Sequence, residues 1–432
     1  MNYKNITKRK LEGSHDIITA PTIEIEVNYC SQNTENIEES LSKIRNRCYT
    51  TTNELCFILY NIRVCLLLSN DQKIKCDYEQ MPFPIKEFIG LLYFDFLTDE
   101  TKGVILDILY YITKIEKFDY ESLFSEDFYE MLIHNFSNAK LRNQSLNLIG
   151  NFVMDSKKLC LYFINHGILD EIKKDFYKPA PTFMFQCLLN YIPIDYLEIV
   201  GEMINSLISC DFDELINVRG LECLLILFNR GDIQCDLINL GTFYKYVPSF
   251  INGQNPKRLY KALKTCLYLT KPPNILEGLI QCLNSLDIKT NLLVLDILIH
   301  FVDYWKTFLS NEIILNILPL ILKGSYDVIE KGIAFVHLYY IIDNNLDNNI
   351  KILNLYISYL ESDFNLQISC LYGIEELVDF CKVHFLKDEF SQIIDLLLQK
   401  KDVIMEILES SEVSNELTEL SKRYLDFLND FT

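Results

Sequence analysis

From about Asn36 onward, apolar residues return every three or four positions. Ile37, Leu41, Ile44 and Cys48 mark one face of a first helix. The same spacing continues towards the C-terminus, broken by polar stretches such as Ser137-Asn138, Lys178-Pro179 and Asn252-Gly253. The pattern predicts helix after helix, joined by short loops. Residues before about Thr34 are polar and mixed, with a small basic cluster at Lys8, Arg9 and Lys10. Residues 1–35 are therefore expected to form a flexible arm.

The helical pattern repeats. Residues 141–172 and 218–247 share one plan: a long apolar helix, a polar turn (Asp155-Ser156, Arg230-Gly231), a short apolar helix, a glycine and a new helix start. Gly167 and Gly241 hold the same place, where a tight corner between helices favours glycine. Weaker copies lie at residues 102–112, 182–192, 258–270, 288–301, 329–340 and 366–378. The period is roughly 40 residues, that of armadillo or HEAT units. One such unit cannot bury its apolar face alone. Residues 36–432 are thus expected to form a single all-α body, a right-handed superhelix of about eight to ten stacked units with a long concave surface.

Composition narrows the function. Only 14 Gly and 11 Pro argue against an all-β fold, and 27 Phe with 26 Tyr supply a large core. The balance of 60 Asp+Glu against 40 Lys+Arg, a net charge of -20, disfavours nucleic acid and favours basic peptides. Among the acidic runs, residues 211–214, 361–363 and 406–412 would steer lysines if they lined a groove, and are solvated loop or helix ends otherwise.

None of the 14 Cys forms a Cys-x-x-Cys pair, which suits free thiols in a reducing compartment, cytoplasm or nucleus. The start of the chain shows no apolar signal core, and no apolar run reaches ~18 residues, so no membrane insertion is expected. The six His are scattered, without metal spacing, and no nucleophile-elbow, Walker or Rossmann pattern occurs. No metal or cofactor and no enzymatic activity are expected.

Residues 145–156 (SLNLIGNFVMDS) with residues 163–172 (FINHGILDEI) are similar to armadillo units of the importin alpha family. Residues 370–380 (CLYGIEELVDF) resemble that family's last regular repeat, and residues 402–431 its closing helices. The resemblance covers most of residues 36–432. It implies an adaptor that binds the basic nuclear-localisation peptides of cargo proteins. In the family, tryptophan and asparagine one turn apart line the concave face: the rings hold lysine stems and the asparagines clamp the peptide backbone.

By that resemblance Asn147 pairs with Asn151 and Gln186 with Asn190, and the asparagines would be the clamps or else helix caps. Later pairs read Leu224/Phe228, Phe335/Tyr339 and Tyr372/Glu376, and the one tryptophan, Trp305, falls at no such position. Tyr372 and Glu376 share a helix face that could hold a lysine or form a surface pair. The cluster Lys8, Arg9 and Lys10 corresponds to the arm by which the family binds an importin-beta-type carrier, and is far shorter. The alternative from another class is a scaffold that assembles protein complexes without transport.

Overall fold

The computed structural model describes residues 37–70, 83–115, 124–211, 213–233, 237–283, 287–362, 364–385, 387–409 and 415–429. The expected arm, with Lys8, Arg9 and Lys10, lies outside them. Every regular element among the described residues is a helix, and none of these is long and apolar enough to cross a membrane. The chain divides into two compact units, Met1–Asn239 and Leu240–Thr432.

In the first unit the helices are α1 (Ile37–Arg45), α2 (Thr52–Asn70), α3 (Ile85–Leu92), α4 (Asp99–Ile115), α5 (Glu126–His134) and α6 (Arg142–Asp155). They continue with α7 (Lys157–Asn165), α8 (Ile168–Lys174), α9 (Pro179–Leu188), α10 (Leu197–Ile208) and α11 (Glu214–Asn229). Helices α2, α4, α6, α9 and α11 stack each on the next, forming a ladder of rungs, and the remaining helices flank it.

The second unit repeats the plan. Its helices are α12 (Gly241–Ile251), α13 (Pro256–Cys266), α14 (Leu276–Cys282), α15 (Ile288–His300), α16 (Val302–Trp305) and α17 (Asn311–Ile321). They are followed by α18 (Tyr326–Tyr339), α19 (Leu346–Ser358), α20 (Phe364–His384), α21 (Lys387–Leu398), α22 (Lys401–Glu409) and α23 (Asn415–Asn429). Here α13, α15, α18, α20 and α23 form the ladder.

Caps written in the sequence start these helices. Ser125, Ser156, Asp213, Asn255, Asp287, Ser310 and Asn345 each accept a backbone N–H in the first turn of the helix that follows. Asp213, from the acidic run 211–214, is such a cap, and Glu361 of the next run pairs with Lys400 at 2.6 Å.

The fourth residue of several rungs ties the hairpin corner shut. Thr182 donates to the carbonyls of Phe176 and Lys178, at 2.7 and 2.8 Å. Asn217 donates to those of Leu207, Ile208 and Cys210, and Gln367 to those of Leu360 and Ser362. These carbonyls lie in the turns before the rungs, where helix geometry leaves acceptors short of partners.

Packing between rungs is close. A Cβ on Gly150 of α6 would lie 2.6 Å from the Phe183 ring of α9, so glycine there admits the ring. Gly167, between α7 and α8, takes φ +80°, as its corner requires. Gly241 does not: it begins α12, and Gly231 at φ +76° makes the left-handed turn in that block instead. Trp305 is buried in the short helix α16.

Candidate interaction surface

The partly open side of each ladder carries polar side chains that reach from rung to rung. In the first unit Arg63 of α2 pairs with Asp107 of α4 at 2.9 Å. Burial raises the Asp107 carboxyl above its ordinary range, and Arg63 opposes that rise. Gln186 of α9 donates to Glu222 of α11 at 3.3 Å. Arg230, just past α11, donates to the carbonyls of Leu189 and Ile192, at 3.0 and 2.8 Å.

In the second unit Lys331 of α18 pairs with Asp296 of α15. Arg423 of α23 pairs with Glu375 of α20 at 3.0 Å. The Tyr372 hydroxyl donates to Glu416 of α23 at 2.8 Å, and that bond raises the phenol above its ordinary range.

The predicted clamp residues are placed differently from one another. Asn147 is half-buried on α6. Asn151, one turn later, is 1 % exposed, and its amide donates to the Tyr110 carbonyl at 3.0 Å and the Thr113 hydroxyl at 2.9 Å. The reading of Asn151 as a backbone clamp is therefore corrected: its donors join α6 to α4. The cause is Phe183, whose ring meets Tyr110 edge-on at 6.3 Å and packs against Gly150, so α4 and α9 close over this half of α6.

Gln186 is also buried, with its amide on Glu222. Asn190 donates to the Cys187 carbonyl of its own helix end, at 3.1 Å, and is a cap. Of the later pairs, Leu224, Phe228, Phe335 and Tyr339 are all core. Tyr372 and Glu376 lie on one helix but turn to different neighbours. Tyr372 bonds Glu416, and the exposed Glu376 stands 4.0 Å from the His337 ring of α18.

Sequence reasoning missed Arg230, Tyr339 and Lys331 as rung-to-rung contacts. A signal was available. The bonds Asn151 to Tyr110, Arg230 to Leu189 and Tyr339 to Leu298 each span 41 residues, close to the repeat period. In each, a polar side chain late in one block reaches a carbonyl late in the block before.

Burial pushes the thiols of Cys160 and Cys370 up to about 12 and that of Cys381 up to about 11, so they pack as protonated, apolar groups at neutral pH. Among the described residues no group of three His, Cys, Asp or Glu is placed to hold a metal ion.

No protein-family model matches the chain, and no curated protein matches it in sequence. A solved chain of beta-catenin does match in three dimensions, from a study of the phosphorylation switch that controls the interaction between cadherin and beta-catenin. The TM-score is 0.57, with 90 % of this chain and 86 % of that chain covered, at 12 % identity. The fold is armadillo-like. At that identity the likeness carries the fold and nothing finer.

Proposed function

We propose that this chain is a non-enzymatic scaffold that binds segments of partner proteins along its helical ladders. The observation that carries the reading is the ladder itself. Rungs at regular spacing present polar side chains in register, a surface suited to an extended partner. The solved neighbour is described by its interaction with a protein partner, cadherin, which supports the same class of function. The free thiols suit work in a reducing compartment, cytoplasm or nucleus.

The finer reading, an importin-alpha-like adaptor for basic cargo recruiting an importin-beta-type carrier, has less support. Asp107, Glu222, Asp296 and Glu375 already have partners on neighbouring rungs, and the amides of Asn151 and Gln186 are spent inside the fold. A lysine-rich peptide would have to displace those pairs.

The test is cross-linking mass spectrometry on the chain purified with its bound partners. Photo-reactive residues would replace Asn147, Lys331 and Tyr372. Partner cross-links at these positions support the scaffold reading. Partner complexes that never cross-link there refute it. A lysine-rich peptide that binds and protects the same positions would restore the import reading.

A further inference from the structure

The turn between α3 and α4 displays three aromatic rings to solvent. Tyr93 is 49 % exposed, Phe94 41 % and Phe96 57 %. The two phenylalanine rings stack on each other, 5.2 Å apart and 21° from parallel. The turn is built rather than loose. The N–H groups of Tyr93 and Phe94 donate to the Gly90 and Leu91 carbonyls, that of Leu97 donates to Phe94, and the Leu97 side chain is buried. Three clustered rings left in water are an unusual concentration of apolar surface, of the kind that marks binding sites.

The surroundings state a charge preference. Asp95 sits within the turn, and α5 beside it exposes Glu126, Asp127 and Glu130. Glu126 and Asp127 suit the N-terminus of α5, but Glu130 lies a turn further on, where the helix gives it no reason to be acidic. The Tyr93 phenol is raised by partial burial and, second, by the Asp127 carboxylate, the acid of α5 that acts on this ring. Among the described residues, no cation pairs with Asp95, Glu126, Asp127 or Glu130. The named ladder carboxylates differ, for they have partners across the rungs. Beyond α5, the Tyr162 hydroxyl lies near Glu126 and Glu130 and has no hydrogen-bond partner.

We propose that the Tyr93-Phe94-Phe96 turn and the acidic face of α5 form a docking surface for an arginine-bearing segment of a partner protein. A guanidinium stacks on an aromatic face and forks onto a carboxylate, so rings and acids side by side suit arginine better than lysine. This surface lies on flanking elements of the first unit, apart from the ladder, and the proposal stands or falls independently of ladder binding.

The experiment is a fluorescence-anisotropy titration of labelled oligo-arginine into the full chain, with oligo-lysine of equal length as comparison. The proteins are wild type, Phe94→Ala/Phe96→Ala, Glu126→Gln/Glu130→Gln, and the ladder variant Glu376→Gln. Oligo-arginine should bind more tightly than oligo-lysine. Each double variant should weaken it by roughly fivefold or more, while Glu376→Gln leaves it unchanged. Melting curves check that all variants fold, and a photo-reactive residue at Tyr93 should cross-link to the peptide.

Failure of wild type to bind overturns the proposal. So does a Phe94→Ala/Phe96→Ala protein that folds and binds with unchanged affinity, since attraction to acidic surface alone would then suffice. Equal loss in Glu376→Gln would place the peptide on the ladder and also refute it.

Discussion

Asn151→Ala should destabilise the protein by about 1–2 kcal/mol. The side chain is 1 % exposed and donates two bonds, to the Tyr110 carbonyl and the Thr113 hydroxyl. Two net hydrogen bonds are worth about 1–3 kcal/mol, and the vacated volume adds to the loss. Two terms act the other way. Alanine is the better helix former by roughly 0.5 kcal/mol. The Asn151 Oδ1 is buried without a partner, so removing it recovers about 1 kcal/mol. The Tyr110 carbonyl stays partly satisfied by Thr113, which donates to it at 3.0 Å, so the bond broken there is one of several.

The control is Asn147→Ala, one turn away and half-buried, which should stay within about 0.5 kcal/mol of wild type. Both are measured by urea unfolding as the shift in midpoint at constant slope. Repeat arrays can unfold in parts, so hydrogen exchange in the last turn of α4 gives the local reading. Protection there should fall in Asn151→Ala and persist in Asn147→Ala. A cost below about 0.5 kcal/mol for Asn151→Ala, or a larger cost for Asn147→Ala, would refute the rung-joining role.

Leu371, Ile374 and Leu377 are all buried, so Leu371→Ala should cost about 2–5 kcal/mol in thermal or urea unfolding, and a near-neutral result would put that face outside the core. Arg230→Met should cost about 2–3 kcal/mol, because its guanidinium caps the end of α9 at Leu189 and Ile192; rescue by Arg230→Lys alone would argue for charge over geometry. Gly332→Ala should cost about 1–3 kcal/mol, since its Cβ would overlap the Ile321 side chain of α17; an unchanged melting temperature would mean that α17 yields freely.

The carboxyls of Asp175, Asp232 and Asp287 are held low by bonds from Lys178, Arg230 and Thr290 respectively. Their stabilisation is complete above the ordinary value of 3.8 and is lost as pH falls through the lower folded values. The melting temperature should therefore drop below about pH 4, less steeply in Asp175→Asn/Asp287→Asn.

The helices, their order and the repeat were legible because they rest on local rules. Apolar spacing marked the α1 face through Ile37, Leu41 and Ile44, all buried. Cap residues set the helix starts, and the period near 40 reappears as bonds that span 41 residues. Gly167 makes the tight corner expected of it, with φ +80°, whereas Gly241 does not, because a glycine at a helix start looks the same in sequence as one at a helix end. Which residues stay open was not legible. Helix α9 buries every residue from Ala180 to Leu188, so it has no polar face from which to read an orientation. The fate of Asn151 is decided by Phe183, a residue 32 positions away.

Net charge misled for a related reason. A charge of -20 suggested acidic groove walls, but stacking sets rungs roughly 9 Å apart, where two like charges at an effective dielectric near 20 repel by about 2 kcal/mol. A row of unpaired acids repeated on every rung would thus work against the stacking that makes the body. The ladder avoids this by alternating partners: Arg63 with Asp107, Lys331 with Asp296, Arg423 with Glu375. The acids free of that constraint sit on flanking helices and turns, as Asp95, Glu126, Asp127 and Glu130 do. In a solenoid the sign of the whole chain is therefore a poor guide to the sign of its ladder. The flanking surface is where a surplus can accumulate without opposing the fold.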